Sequence, residues 1–189
     1  MIYPAANQTR MSRRQPQPAQ QRKLTWAGYA VFIWSIGYMV PHLYWALGGT
    51  AGQALLRPSI LQLPQWELIN GVASIFLTVA GLIGLAFVYL RRHGFVRWGL
   101  LAIALFGCSV AASHGIYGIV NRILQIVGAV AVESVPFNLG EHAYVVWDLV
   151  LYEPWFLMEG ILFGIVGWYY LEQPRQRQIW LVLCITGVI

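Results

Sequence analysis

The stretch WELINGVASIFLTVAGLIGLAFVYL, residues 66–90, decides the fold class of this chain. Its only charged residue is Glu67, next to the start, and no later position carries a charge. A helix of about 20 residues is long enough to cross a bilayer core of about 30 Å. The sequence therefore predicts a transmembrane helix over this stretch.

Three further stretches have the same apolar character, so the sequence predicts an all-α membrane protein with four transmembrane helices in a bundle. The other predicted helices are residues 24–47, 96–120 and 143–171. The composition agrees, because 58% of the chain is hydrophobic and only 10% is charged, whereas soluble domains carry roughly 25% charged residues. The chain divides into a basic tail at 1–23, a transmembrane domain at 24–171, and a basic linker with a short apolar segment at 172–189.

The basic residues predict how the chain is oriented in the membrane. The tail 1–23 is rich in Pro, Gln and Arg and is expected to be disordered. The apolar run after it is longer than a signal peptide core of about 7–15 residues, which indicates a retained signal anchor. Basic residues lie mainly before the first span, between the second and third, and after the fourth. The positive-inside rule then places both termini in the cytoplasm and accounts for the net charge of +5 without nucleic acid.

A pattern of residues repeats between the two halves of the chain. Trp and Tyr favour membrane interfaces, but a His and an acid at equivalent places in both halves indicate a tandem duplication of a two-helix hairpin. Parallel repeats of this kind are related by an axis along the membrane normal. In the first and third spans, Trp26, His42 and Trp45 match Trp98, His114 and Tyr117. In the second and fourth spans, segments 66–68 and 89–90 match segments 147–149 and 170–171.

The repeat predicts a shared polar site that opens outward. At 1.5 Å per residue, His42 and His114 lie about 27 Å from the inner boundary, and Glu67 and Asp148 about 34 Å. Glu159 lies about 18 Å deep, where an ionisable group costs about 2.5–3.5 kcal/mol, so it is expected to be protonated or paired with Thr78. The predicted ligand-binding residues are His42, Trp45, Glu67, His114, Tyr117, Asp148, Tyr152, Trp155 and Glu159.

Three kinds of function fit these residues. The preferred one is binding or transport of a small ligand or ion, with the histidines titrating beside the carboxylates. A transition metal held by His42, His114, Glu67 and Asp148, or a haem between the two histidines, would make the chain a membrane oxidoreductase. An accessory subunit would turn the same polar faces toward a membrane-protein partner or a second copy. The chain contains no HExxH, CxxC or helical Glu-x-x-His motif, so the residues leave open whether it is an enzyme.

Local sequence features add three predictions. Gly48 and Gly49 are expected to end the first span and turn the chain back. Cys108 and Cys184 are expected to be packing residues rather than a secreted-type disulfide. The last apolar stretch, residues 179–189, fits either an interfacial segment or a fifth span cut short.

Two segments carry a resemblance to a known family. HLYWALGG, residues 42–49, and WDLVLYEPWFL, residues 147–157, resemble those of a family of small uncharacterised bacterial four-helix membrane proteins. That family is similar in having a His-x-x-Trp-Ala-x-Gly-Gly motif closing the first span. The resemblance implies a multi-pass protein of the bacterial cytoplasmic (inner) membrane, and it implies no particular reaction.

Overall fold

The computed structural model describes residues 18–90, 93–132 and 143–189, and no strand occurs in these ranges. The all-α prediction is confirmed for this part of the chain. Predictions for residues 1–17, 91–92 and 133–142 lie outside it. The helices are α1 (Pro18–Ala46), α2 (Pro58–Leu61), α3 (Trp66–Tyr89), α4 (Gly94–Ile126), α5 (Ala143–Trp147), α6 (Glu153–Tyr170) and α7 (Pro174–Val188).

Three helical segments are long and apolar enough to cross a membrane. They are α3, α4 and the continuous rod Ala143–Tyr170, in which a π-helical turn, Asp148–Tyr152, joins α5 to α6. These segments confirm three of the four predicted spans. Helix α1 is long enough, but it is not among the most apolar helices, because Trp, Tyr, Ser, Pro41 and His42 lower its mean hydropathy.

Helix α1 begins at Pro18, inside the segment predicted to be a disordered tail. Residues 20–23 are Gln, Gln, Arg and Lys, all good helix formers. Gln20 Nε2 also donates hydrogen bonds to the carbonyl oxygens of Tyr169 and Leu171, at 3.1 and 3.0 Å. The other end follows the prediction, because Gly48 takes a left-handed φ of 87° just after the helix ends at Ala46.

Helix α4 extends beyond the predicted third span, which ended at residue 120. It continues to Ile126, so Arg122 lies on the helix instead of in the predicted outer loop. Arg122 is 2% exposed. A buried arginine requires partners, and its partners belong to the candidate site described below.

Each predicted hairpin is present as a packed helix pair. Helix α1 packs against α3, and α4 packs against α6. Gly28 and Gly84 allow close contact in the first pair, since a Cβ on either would lie 2.6 Å from the carbonyl oxygen of the other. Gly160 has the same role in the second pair, against Ala112. The two pairs join through extensive contact between α1 and α6, whereas α3 touches α4 at few positions.

Helix α7 runs beside α4 from one end of the bundle toward the other. Gln176 Oε1 accepts a hydrogen bond from Arg97 near the start of α4, and the Val188 carbonyl accepts one from Ser113 Oγ. Trp180 Nε1 donates to the Gly164 carbonyl on α6 at 2.9 Å. Cys184 and Cys108 are both buried and free, as expected of packing residues. The C-terminal apolar segment is therefore a helix docked along the bundle.

Replacing Gly84 with alanine tests the close packing of α1 on α3. The added Cβ would meet a backbone oxygen at 2.6 Å, and overpacking of this kind costs about 1–3 kcal/mol. We expect Gly84→Ala to unfold at a lower temperature than the parent in detergent, followed by circular dichroism at 222 nm. The control is Gly99→Ala, where nothing lies within 4 Å of the new Cβ. Equal stability of the two variants would contradict this packing.

Candidate functional site

The carboxyl group of Glu159 on α6 is the centre of the candidate site. The residue is 7% exposed, and its Oε1 lies 2.5 Å from Ser35 Oγ on α1. The second oxygen, Oε2, is buried and has no hydrogen-bond partner within the described residues. The expected pairing with Thr78 is not formed, because Thr78 Oγ1 donates to the Ser74 carbonyl of its own helix at 2.8 Å.

Aromatic rings pack the α1–α6 interface around Glu159. The rings of Trp34 and Trp155 are stacked with centroids 4.3 Å apart, and Trp34 Nε1 donates to the Trp155 carbonyl at 3.1 Å. Tyr38 lies nearly parallel to Trp155, with centroids 5.4 Å apart. Trp155 was predicted as a site residue and forms part of this wall. The stacked rings fill the interface on this side of the carboxyl group.

A cavity of about 520 Å³ adjoins Glu159, and Tyr38 and Trp155 of the aromatic wall also line it. Its wall is almost wholly apolar, and the ionisable side chains besides Tyr38 are Glu159 and His114. This differs from the predicted polar funnel, because the polar groups at the end of the bundle that carries His42 and Asp148 bond to one another. The lining residues of α3 are 76, 77, 79, 80 and 83, those of α4 are 103, 106, 107, 110, 111 and 114, and those of α6 are 155, 156, 159 and 163.

Side chains at equivalent positions of the two predicted repeats have different surroundings. On α6, Trp155 and Glu159 contact α1. Their counterparts on α3, Ser74 and Thr78, bond to carbonyl groups of their own helix and do not line the cavity. The α3 wall of the cavity is a different, apolar stripe, and α3 touches α4 at few positions.

The two histidines belong to different local environments. His42 Nδ1 lies 2.8 Å from Asn70 Oδ1 on α3, and its ring meets Tyr38 and Trp45 edge to face. His114 contacts the ring of Phe156, with centroids 4.3 Å apart. The depth argument grouped the histidines together, but each is held by its own neighbours.

Two pairs of ionisable side chains lie near the C-terminal end of α4 and the π-helical turn. Arg122 Nη2 is 2.8 Å from Asp148 Oδ2, and both side chains are almost fully buried. Arg122 Nη1 donates to Gln125 Oε1 at 2.7 Å. Glu153 Oε2 lies 3.7 Å from His114 Nε2. Of these residues, the sequence pattern had selected only Asp148 and His114.

The remaining predicted site residues are distributed around the bundle. Trp45 is buried and donates from Nε1 to the Ala51 carbonyl at 2.9 Å. Tyr152 lies on the π-helical turn and is partly buried. Glu67 is exposed, and Tyr117 is 74% exposed. Among residues 18–90, 93–132 and 143–189, no three His, Cys, Asp or Glu side chains are grouped to hold a metal, so the four proposed metal ligands are not assembled there.

Besides Arg122 and Gln125, sequence reasoning missed three polar residues of the site, and each had a weak signal. Asn70 lies one helical turn after Trp66 on α3. Ser35 lies one turn before Tyr38 and Met39, on the face of α1 that meets α6. Glu153 packs against Gly118, where any Cβ would overlap its carboxyl group. The spacing of Gly115 and Gly118 on α4 was the available indication of that close contact.

The chain belongs to the family described as "Protein of unknown function (DUF3995)", whose model matches residues 35–163. The match includes both segments that carried the resemblance, and it confirms membership of an uncharacterised family. No curated protein and no solved structure matches the chain.

The Arg122–Asp148 pair gives a direct test of this end of the site. Asp148→Asn removes the counter-charge of a buried guanidinium, and removing one partner of a buried ion pair costs about 3–5 kcal/mol. We expect this variant to lose much of its thermal stability in detergent. The double variant Arg122→Met with Asp148→Leu should regain part of it, because it removes both charges of the pair together. Glu67→Gln, which alters an exposed carboxyl group, should unfold at the same temperature as the parent. An Asp148→Asn variant that is as stable as the parent would contradict the buried pair.

Proposed function

We propose that this family member is a four-span protein of the bacterial cytoplasmic membrane that binds a small ligand at Glu159. Helix α1 is the fourth span in this proposal, because its 29 residues reach about 44 Å and it packs along α3 and α6. Arg97 and Gln176 join the starts of α4 and α7 at one end. With Arg22, Lys23, Arg175 and Arg177 also near that end, the positive-inside rule makes it cytoplasmic.

The observation that carries the ligand proposal is the unpartnered Oε2 atom of Glu159 beside the cavity. An unsatisfied buried polar group costs about 1–3 kcal/mol, and a carboxyl group at membrane depth adds a further cost. A side chain kept under these conditions in the wall of a cavity is the usual mark of a binding site. The cavity, at about 520 Å³, lies within the range of about 300–1,000 Å³ found for small-molecule sites.

Binding and transport make different demands on this site. Binding needs only the cavity and the Glu159 carboxyl group. Transport needs, in addition, a second state in which the cavity is reached from the other side of the membrane. The α3–α4 interface, like that between α3 and α6, has few contacts, so a movement there would break little of the packing. We therefore propose binding as the basic activity, with transport as an extension of it.

The proposal is tested by native mass spectrometry of the protein released from nanodiscs made with lipid extract of the source membrane. The parent is expected to retain a small molecule as a mass adduct. Glu159→Leu should lose the adduct because it removes the hydrogen-bonding group, and Ala111→Phe should lose it because the ring fills the cavity.

Two matched controls accompany these variants. Ala102→Phe adds the same ring on the exposed face of α4, and Glu67→Gln alters an exposed carboxyl group; both should keep the adduct. A parent without an adduct, or an adduct that survives both cavity substitutions, would exclude a ligand site at Glu159. Copurification of a larger membrane protein in place of the adduct would favour the accessory-subunit function.

A further inference from the structure

We propose that the Glu159 ligand is a membrane-dissolved molecule with an apolar body and one hydrogen-bond donor, and that it enters sideways between α3 and α4. This inference rests on the proposed function and specifies the chemistry of its ligand. Three features of the structure carry it: the position of the cavity mouth, the hydrogen-bonding state of Glu159, and the shape of the cavity.

The mouth of the cavity faces the lipid. Phe76 on α3 and Phe106 on α4 both line it, and they are 71% and 70% exposed. Val79 and Val110 lie beside them and are about half exposed. Exposed apolar side chains on transmembrane helices contact acyl chains, so the gap between α3 and α4 opens toward the bilayer.

The polar contacts at the end of the bundle that carries His42 and His114 lie within the helix pairs. His42 joins α1 to Asn70 of α3, and Arg122 joins α4 to Asp148 of the π-helical turn. Neither contact crosses the gap between α3 and α4, where His114 lines the cavity and is itself exposed. A lipid-soluble ligand passing between α3 and α4 would break none of these contacts and would displace only acyl chains.

Glu159 needs a hydrogen-bonding group from its ligand. Ser35 Oγ lies within hydrogen-bonding distance of both the Val31 carbonyl, at 2.9 Å, and Glu159 Oε1, but a serine hydroxyl has a single hydrogen. If Ser35 donates to Val31, Oε1 carries the proton and Oε2 is a carbonyl oxygen that accepts. If Ser35 donates to Oε1, the carboxyl group is either ionised, so that Oε2 accepts, or neutral with its proton on Oε2, which then donates. A ligand hydroxyl or neutral amino group serves each of these states, because it can both donate and accept.

The cavity has the shape of a slender molecule. Its wall on α4 extends from Ile103 to His114, a rise of about 16 Å along the helix. Glu159 is the carboxyl group in the middle part of this wall, and the indole Nε1 of Trp155, one turn away on α6, is also buried without a hydrogen-bond partner among the described residues. A ligand that fits has a long apolar body and a single donor, such as the hydroxyl of an alcohol or the amino group of an amine.

Carbodiimides of opposite solubility test the route of entry, because they attach to carboxyl groups that they can reach. The protein in liposomes is treated separately with apolar N,N′-dicyclohexylcarbodiimide and with a water-soluble carbodiimide, and each modified residue is identified by peptide mass spectrometry. We expect Glu159 to be modified by the apolar reagent and not by the water-soluble one. Glu67, which is exposed, should be modified by the water-soluble reagent, and Glu159→Gln should remove the signal at position 159.

The outcomes separate this inference from the proposed function. Modification of Glu159 by the water-soluble reagent would overturn sideways entry while leaving a ligand site at Glu159. Modification by neither reagent would mean that the cavity is closed, and both proposals would fail.

Competition with matched twelve-carbon molecules tests the donor requirement. Dodecanol and dodecylamine each carry one donor group, whereas dodecane has the same apolar body and none. We expect the alcohol or the amine to slow modification of Glu159 by the apolar carbodiimide roughly tenfold, the equivalent of one buried hydrogen bond of about 1.4 kcal/mol, and dodecane to have no such effect. Equal protection by dodecane would overturn the donor requirement, and protection by none of the three would overturn the proposed ligand class.

Discussion

The hydrogen bond between Ser35 and Glu159 is the constraint on which the arrangement of this bundle depends. It places a carboxyl group between α1 and α6 where no bulk water is expected, and such a group is costly unless the surrounding helices hold it. The stacked rings of Trp34 and Trp155 supply that support. Together these contacts join the two helix pairs along one interface. The other possible interface, between α3 and α4, is left loose, and the cavity is its direct result.

Much of the fold could be predicted from the sequence because it depends on hydropathy and helix length. The stretch 66–90 needs only its own composition to be recognised as a span, and the repeat of Trp, His and acidic residues correctly predicted the pairing of α1 with α3 and of α4 with α6. Glu159 could be selected by depth alone. Gly48 could be recognised as the end of α1 because only glycine takes a left-handed φ without strain.

The sequence could not predict which side chains contact one another across neighbouring helices. Regular helical spacing does not describe the last predicted span throughout, because the π-helical turn at Asp148–Tyr152 changes the register before Glu153. Arg122 fell in a predicted loop because the third span was expected to end at residue 120, whereas the structure buries it on α4 against Asp148. The cavity depends on how closely α3 approaches α4, which is a property of two helices and not of one. Sequence reasoning therefore fails to predict the site where contacts between two helices, and not the properties of one helix, determine which side chains meet.

The central claim is that Glu159 presents an unpartnered hydrogen-bonding atom, Oε2, to a cavity that opens to lipid between α3 and α4. A crystal structure grown from a monoolein mesophase would test it most directly, because monoolein is itself an amphiphile with hydroxyl donors. The expected result is that α3 and α4 remain apart and that density for a long molecule lies within hydrogen-bonding distance of Glu159 Oε2. A structure in which α3 packs directly on α4, with Glu159 bonded only to other protein groups, would contradict the claim.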